Sequence, residues 1–198
     1  MLNEIIVKPL RLIAKRIFSG ASLYSIEKLI GSKEGVPVLN IKDIMENQII
    51  TDNLSLFSLE DFKNRERYMV YSGDVLLTCR GTQFKIAVVP ENLKQAIITA
   101  NLIAVRLTNG MLPMFLATYL KTKEAQRLLL AKTSSSRIQL VLNVSDVGEM
   151  DIPVPPLSLQ EKIVNLANVA EEQYRLNIES ANLIKRITNQ IVINMLIK

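Results

Sequence analysis

The most constraining feature of this sequence is the change of character within residues 151–163, DIPVPPLSLQEKI. Its prolines at 153, 155 and 156 hold the preceding residues in extended or polyproline II conformation and remove backbone donors. The stretch that follows, residues 158–198, contains no proline and no glycine, and helix-forming residues prevail in it. The sequence therefore predicts one helix of about forty residues, roughly 60 Å long. Ser158 is its candidate N-cap, with Glu161 completing a capping box.

The predicted helix carries a stripe at heptad-like spacing that is apolar at both ends and polar in the middle. In a lone helix the apolar parts would face water, at a cost of roughly 25 cal/mol per Å². We therefore expect the helix to pack against a partner, which is either a second subunit or its own domain. The residues assigned to dimerisation are Ile163, Leu166, Leu176, Leu183, Ile184, Ile187 and Ile191.

The part of the chain before the prolines has the pattern of a globular domain. Hydrophobic residues make up 48% of the sequence, which is enough for a substantial core. Segments 35–44, 71–90 and 95–107 place apolar runs between turn residues and predict strands of a mixed sheet. Residues 111–132 predict one amphipathic helix. The expected fold is mixed α/β, with a recognition domain at 1–152, a proline corner at 153–157 and a long helix at 158–198.

Several classes of chemistry are excluded by residues that the sequence lacks. The chain has no histidine, which removes Ser-His-Asp and Cys-His catalysis and HExxH zinc sites. Its single cysteine, Cys79, excludes an internal disulfide and is interpreted as a buried thiol. Neither a GxGxxG loop nor a Walker A motif occurs. We expect no cofactor, no metal and no catalysis by this chain alone, although composition leaves carboxylate-metal chemistry open.

The N-terminal segment and the net charge bear on location and partners. Residues 1–20 interrupt their apolar positions with basic residues and with Pro9, which is unlike a signal peptide or a membrane span. We therefore expect a cytoplasmic protein without a membrane association. The net charge of +5 favours a polyanionic partner, and an ordinary basic surface is the alternative.

Three stretches, in this order, resemble the specificity subunits of type I restriction-modification systems. They are GDVLLTCRGT at 73–82, ITANLIAVRL at 98–107, and the run from TSSSRI at 133–138 to IPVPPLSLQEKI at 152–163. The corner IPVPPLSLQ is the most specific of them, although an acid usually precedes the glutamine in that family and Leu159 stands there in this chain. Members usually hold two recognition domains and two conserved helices. This sequence shows one of each and no internal repeat, so it resembles a half-subunit.

The resemblance implies a non-catalytic subunit that reads one half of a bipartite site in double-stranded DNA. It also implies that the subunit directs a partner adenine methyltransferase to that site and dimerises through its long helix, with a restriction endonuclease subunit as a further candidate partner. Arginine and lysine can read guanine, glutamine can read adenine, and serine or threonine can serve bases or phosphates. The candidate DNA-binding residues are Arg80, Thr82, Gln83, Lys85, Ser134, Ser135, Ser136, Arg137 and Gln139, with Lys63, Arg65 and Arg67 as candidate phosphate contacts.

Two alternatives stay open at this point. For each candidate residue the alternative is a solvated turn or a plain charged surface. For the chain as a whole it is a helical adaptor that binds only proteins through the stripe of residues 158–198 and has no DNA specificity.

Overall fold

The structure is a computed structural model that describes residues 5–22, 35–58, 65–81, 84–133 and 140–197. The chain divides into two compact units, Met1–Gln160 and Glu161–Lys198. Within the described residues, no helix combines the length and the apolar character needed to span a membrane.

The first unit contains short strands and short helices, and the second unit is the main part of one long helix. The strands are β1 Ile6–Pro9, β2 Ala14–Ser19, β3 Val36–Leu39, β4 Ile44–Met45, β5 Gln48–Ile49, β6 Leu56–Phe57, β7 Met69–Tyr71, β8 Val75–Thr78, β9 Arg80–Gly81, β10 Ile86–Val88, β11 Gln95–Ile98, β12 Leu102–Leu107, β13 Leu140–Val141 and β14 Asp151–Val154. The helices are α1 Leu10–Ile13, α2 Pro113–Lys121, α3 Lys123–Lys132, α4 Val144–Gly148 and α5 Leu157–Leu196, and 3₁₀ turns lie at Ile41–Asp43 and Arg65–Tyr68.

Two four-stranded sheets carry the core of the first unit. One has the order β10-β8-β12-β2 and is antiparallel throughout. The other has the order β6-β3-β11-β7, in which β11 pairs parallel with β3. Buried side chains from both sheets, among them Phe18, Leu39, Leu76, Ile98 and Ala104, form one core cluster. The expected mixed α/β fold is confirmed, and the described strands divide between these two sheets and three two-stranded ones.

The predicted apolar run 95–107 forms two strands, β11 and β12, that belong to different sheets. The chain turns between them, where the amide of Leu102 donates to the carbonyl of Thr99. The end of β2 approaches the same turn, and the amide of Ala21 donates to the carbonyl of Ile98. A Cβ atom at Gly20 would collide with the carbonyl oxygens of Ile98 and Thr99, so this close approach requires glycine.

The prediction of a single amphipathic helix over residues 111–132 is wrong in one respect, because the structure has two helices there. The backbone of Thr122 is extended, and its hydroxyl accepts a hydrogen bond from the amide of Ala125 as the N-cap of α3. The short helix α4 was missed. Asn143 and Asp146 form a capping box around its first turn.

The proline segment begins as a strand. Strand β14 runs through Pro153, which lies opposite Val7 of β1, and proline is tolerated there because both strands of a two-stranded sheet are edges. The long helix is confirmed, but it begins at Leu157. The carbonyl of Pro156 accepts hydrogen bonds from the amides of Leu159 and Gln160. The predicted Ser158 cap is therefore wrong, since Ser158 lies inside the first turn.

A buried side-chain amide connects the first turn of α5 to other parts of the first unit. Gln160 is fully buried, and its Oε1 accepts a hydrogen bond from the amide of Leu112 at 2.8 Å. Its Nε2 donates to the carbonyl of Pro155 at 2.8 Å and to that of Gly110 at 3.0 Å. One side chain thus joins the loop before α2, the proline segment and the helix start.

We predict that Gln160→Leu lowers the free energy of unfolding by about 2–3 kcal/mol, because it leaves the amide of Leu112 and the carbonyl of Pro155 without their partner. Urea unfolding of the full chain measures this. Gln190→Leu is the matched control, because Gln190 is exposed in the same helix and bonds only Asn194 among the described residues. The control should change stability by no more than about 0.5 kcal/mol. Equal effects of the two substitutions would contradict the structural role of Gln160.

Candidate nucleic-acid interface

Strands β9 and β13 form a two-stranded ribbon that brings together two distant parts of the sequence. Arg80 lies opposite Val141, and Gly81 lies opposite Leu140. Because the pairing is antiparallel, the chain leaves Gly81 toward residue 82 at the same end of the ribbon at which it arrives from residue 139. The two polar loops that the sequence analysis selected are therefore attached to one end of one ribbon.

Most of the predicted DNA-binding residues fall outside the described residues. They are Thr82, Gln83, Ser134, Ser135, Ser136, Arg137 and Gln139, and Lys63 of the charged cluster is also outside the described part. The DNA contacts predicted for them stay predictions. Of the remaining candidates, the structure describes Arg80, Lys85, Arg65 and Arg67.

Arg80 is an exposed cation at the base of the two loops. Within the described parts of the chain its guanidinium has no hydrogen-bond or ion-pair partner. Its strand is held to the core by its neighbour Cys79, whose amide donates to the carbonyl of Asn101 and whose carbonyl accepts from the amide of Leu142. The arginine is therefore presented from an anchored backbone, with its five donors available to a ligand.

A cavity of about 260 Å³ lies beside this anchor and is lined by Ser19, Cys79, Arg80 and Asn143, among others. The Cys79 thiol is buried and donates to the carbonyl of Ala100, with an Sγ to O distance of 3.2 Å. Burial raises the pKa of the Cys79 thiol, against a smaller lowering effect of the charge on Arg80. The predicted buried thiol is confirmed, and this cysteine is a packing residue.

Lys85 has a structural role that the sequence did not indicate. It is half-buried, and its Nζ donates to the carbonyls of Ile44 at 2.7 Å and Ile41 at 3.4 Å. The ammonium group is thus engaged inside the fold, where it links β10 to the hairpin β4–β5. These bonds use two of the three N–H donors of the ammonium group, and the DNA contact predicted for Lys85 stays a prediction.

Arg65 and Arg67 lie in the 3₁₀ turn Arg65–Tyr68, and both are exposed. Backbone carbonyls of this turn also bind Arg16, a residue that the sequence did not single out. Arg16 of β2 donates from Nη2 to the carbonyl of Arg67 at 2.7 Å and from Nη1 to that of Glu66 at 3.4 Å. A single basic residue in a strand gave no signal in the sequence, because only tertiary structure places it beside the turn.

Gly73 and Asp74 directly precede β8, and Asp74 forms an ion pair inside the first unit. Gly73 has a φ of 87°, which glycine adopts without strain. Asp74 is almost fully buried, and its carboxylate accepts from Arg106 at 2.9 Å and 2.7 Å and from the amide of Tyr71 at 2.9 Å. The hydrogen bond with Asp74 raises the pKa of Arg106, which also lies over the Tyr71 ring at 4.8 Å. This pair fixes β7, β8 and β12 relative to one another.

The described residues include no group of three or more Cys, Asp or Glu side chains that could hold a metal ion. Among the described residues, the buried carboxylate of Asp74 is the ion-pair partner of Arg106.

The model of one protein family matches residues 19–186, which is most of the chain. That family is described as the type I restriction modification DNA specificity domain. This chain belongs to that family. The resemblance inferred from the three stretches of sequence is thereby confirmed.

Individual members show how far the similarity extends. The specificity subunit of the type I restriction enzyme EcoBI from Escherichia coli is 26% identical over 132 residues, which are 67% of this chain and 28% of that protein. An HsdS subunit from Thermoanaerobacter tengcongensis superposes with a TM-score of 0.62 at 19% identity, over 87% of this chain and 39% of that one. A chain from a study of complex assembly and conformational transition of the type I R-M system gives a TM-score of 0.72 at 18% identity, over 94% and 44% respectively.

These structural similarities show the fold, including the arrangement of sheets with a long C-terminal helix. The chain spans less than half the length of each of these relatives.

We predict that native Cys79 reacts with iodoacetamide much more slowly than the same thiol in the urea-unfolded chain. Burial both blocks access and raises the thiol pKa, and each unit of that rise lowers the reactive thiolate fraction about tenfold. Mass spectrometry of the alkylated protein at pH 8 measures the two rates. Equal rates would show that the cavity beside Arg80 is open to the reagent and that the ribbon is not anchored as described.

Proposed function

We propose that this specificity domain reads one half of a DNA site through the two loops that leave the end of the β9–β13 ribbon. The observation that carries this proposal is the pairing of Gly81 with Leu140, which attaches the loops at 82–83 and 134–139 to one end of one ribbon. Two short polar segments that share one anchor can be presented together to one stretch of base pairs. The net charge of +5 supports a polyanionic ligand.

The residue types in these loops have the chemistry for base recognition. Arginine pairs with the O6 and N7 atoms of guanine, glutamine pairs with N6 and N7 of adenine, and hydroxyl groups serve bases or phosphates. Arg80 is the described member of this set, and its guanidinium, which has no partner among the described residues, suits either guanine or phosphate. A good bidentate contact contributes roughly 1–3 kcal/mol of discrimination against a wrong base.

The proposed reaction partner is a separate adenine methyltransferase, with a restriction endonuclease subunit as a further partner. The family supports this role, and the sequence supports a division of labour, because the chain has no histidine and no recognised cofactor loop. In this proposal the specificity domain supplies sequence recognition, and the partner subunit supplies the chemistry.

We also propose that the helix α5 pairs with a second copy of itself. Its predicted dimerisation residues Leu166, Leu176, Leu183, Ile184, Ile187 and Ile191 are 45–72% exposed, while Ile163 is half-buried. So many exposed large apolar side chains on one helix are stabilised when a second apolar stripe covers them. The middle of the stripe is polar, with Gln173 donating to Asn177 at 3.0 Å. Polar positions in such a seam favour a defined register over sliding.

Two identical domains related by a two-fold axis would read an interrupted palindrome, because each copy reads the same half-site in opposite directions. Methylation mapping in cells with and without the gene gives motif, spacing and symmetry in one experiment. Two unrelated half-sites would indicate that this domain pairs with a different one.

We predict that Arg80→Gln reduces discrimination between the cognate and a scrambled duplex by about 1–3 kcal/mol. The measurement is a pair of binding isotherms at fixed, moderate salt, on the cognate site found by methylation mapping. Arg127→Gln is the control, since Arg127 is an exposed arginine on α3 that is paired with Glu124. If the unsubstituted protein, alone or with its methyltransferase, shows no preference for any sequence, the DNA-reading proposal fails and the adaptor alternative gains support.

We predict that the double substitution Ile184→Glu with Ile187→Glu converts the dimer to a monomer, because it introduces charges into the apolar seam. Sedimentation equilibrium measures the mass. Asn182→Glu with Asn189→Glu adds the same charge at positions on the outer side of the heptad pattern and should leave the dimer intact. Identical masses for the two variants would argue against pairing through this stripe.

A further inference from the structure

Arg16 is placed beside another arginine without a carboxylate of its own. In the register of β2 and β12, Arg16 lies directly opposite Arg106, and like charges in that position repel. Arg106 is neutralised by Asp74, with an Nη2 to Oδ2 distance of 2.7 Å. Within the described residues, Arg16 has no Asp or Glu within ion-pair distance. Its charge is therefore uncompensated in that part of the structure.

Neutral groups hold the Arg16 side chain in place. Two of its N–H groups donate to the carbonyls of Glu66 and Arg67, and its guanidinium carbon lies 4.2 Å from the centre of the Phe18 ring. These contacts fix the position of the guanidinium and leave the charge intact. A guanidinium has five donors, so the remaining N–H groups are available to a ligand.

The side chain lines a polar cavity of about 450 Å³ on the first unit. Arg65, Arg106, Tyr71 and Gln95 also line it, so three arginines meet here with two further polar side chains. One acidic side chain, Glu66, lies on the lining as well. The cavity thus combines fixed guanidinium groups, a phenol and an amide, which are the donors that bind phosphate oxygens.

We propose that this cavity binds a phosphate of the DNA backbone, with Arg16 as its fixed cation. The inference rests on the proposed function, because it names a second contact with the same ligand. Strand β2 connects this cavity with the one beside Arg80, since Arg16 lines the first and Ser19 lines the second. Three residues of strand span about 10 Å, which is less than the width of the DNA major groove at about 12 Å. Along the strand, Arg16 and Ser19 are therefore less than one groove width apart.

The contact orients the duplex and carries no sequence information. The planar fork of arginine matches two phosphate oxygens, and phosphate contacts set register on the DNA while base contacts specify sequence. Loss of Arg16 therefore weakens binding to all duplexes alike, whereas loss of Arg80 reduces the difference in affinity between the cognate and the scrambled duplex.

The test measures the affinity of full-length Arg16→Gln for the cognate and the scrambled duplex over a range of salt, from about 50 to 200 mM. One lost phosphate contact lowers the slope of log affinity against log salt by about 0.9, equally for both duplexes.

Arg16→Lys keeps the charge and should retain the slope. Arg127→Gln, which removes an arginine far along the sequence in α3, should also retain it. Thermal unfolding of each variant reports whether the fold is kept, and Arg65→Gln repeats the test at an exposed residue if Arg16→Gln unfolds.

Three outcomes overturn the phosphate site. The first is an unchanged salt slope in Arg16→Gln while the unsubstituted protein binds DNA normally. The second is a loss of discrimination without a change in slope, which would make Arg16 a base contact. The third is an effect confined to assembly with the methyltransferase, which would assign the cavity to a protein partner. A salt slope that falls in a protein without any sequence preference would instead support the phosphate site and reject the reading function.

Discussion

The C-terminal part of the first unit depends on the hydrogen bonds of one buried side-chain amide, that of Gln160. Its three hydrogen bonds satisfy the amide of Leu112 and the carbonyls of Gly110 and Pro155, which belong to two separate stretches of backbone. Because a buried amide is costly to leave unpaired, the loop, the proline segment and the first helical turn are stabilised together. The prolines contribute carbonyl acceptors to this arrangement and prevent the helix from beginning earlier.

The arginines of the first unit separate into structural and available ones. Arg106 is bound by the buried carboxylate of Asp74 and holds three strands together. Arg80 and Arg16 have no described carboxylate partner, although Arg16 is fixed by carbonyls and an aromatic ring. Ion pairing therefore decides which cations stabilise the fold and which can meet a polyanion. Lys85 is held by hydrogen bonds to backbone carbonyls, without an ion pair among the described residues.

Long, continuous patterns were predicted well from sequence, and interactions between distant residues were not. The helix from Leu157 to Leu196 was predictable because forty residues without proline or glycine agree with one conformation. The division at Thr122 was missed because threonine is compatible with both a helix and a cap. Ser158 was assigned as a cap from its type, but the helix already begins at Leu157, and the carbonyl of Pro156, two residues before Ser158, accepts its first hydrogen bonds. The internal hydrogen bonds of Lys85 and Arg16 were missed for a similar reason, since exposure and partners depend on what packs against each side chain.

The sequence by itself determined the long helix, the buried strands, the exclusion of histidine-based chemistry and the family, because these depend on local propensity, composition and ordered motifs. Only the tertiary structure decided that residues 95–107 contribute one strand to each of two sheets. It also decided that Gln160 is buried and hydrogen-bonded to the amide of Leu112. It also decided that the loops after Gly81 and before Leu140 share one ribbon. The physical reason is that strand pairing and side-chain hydrogen bonds join residues that are far apart along the chain, and such pairings leave no periodic signal in the sequence.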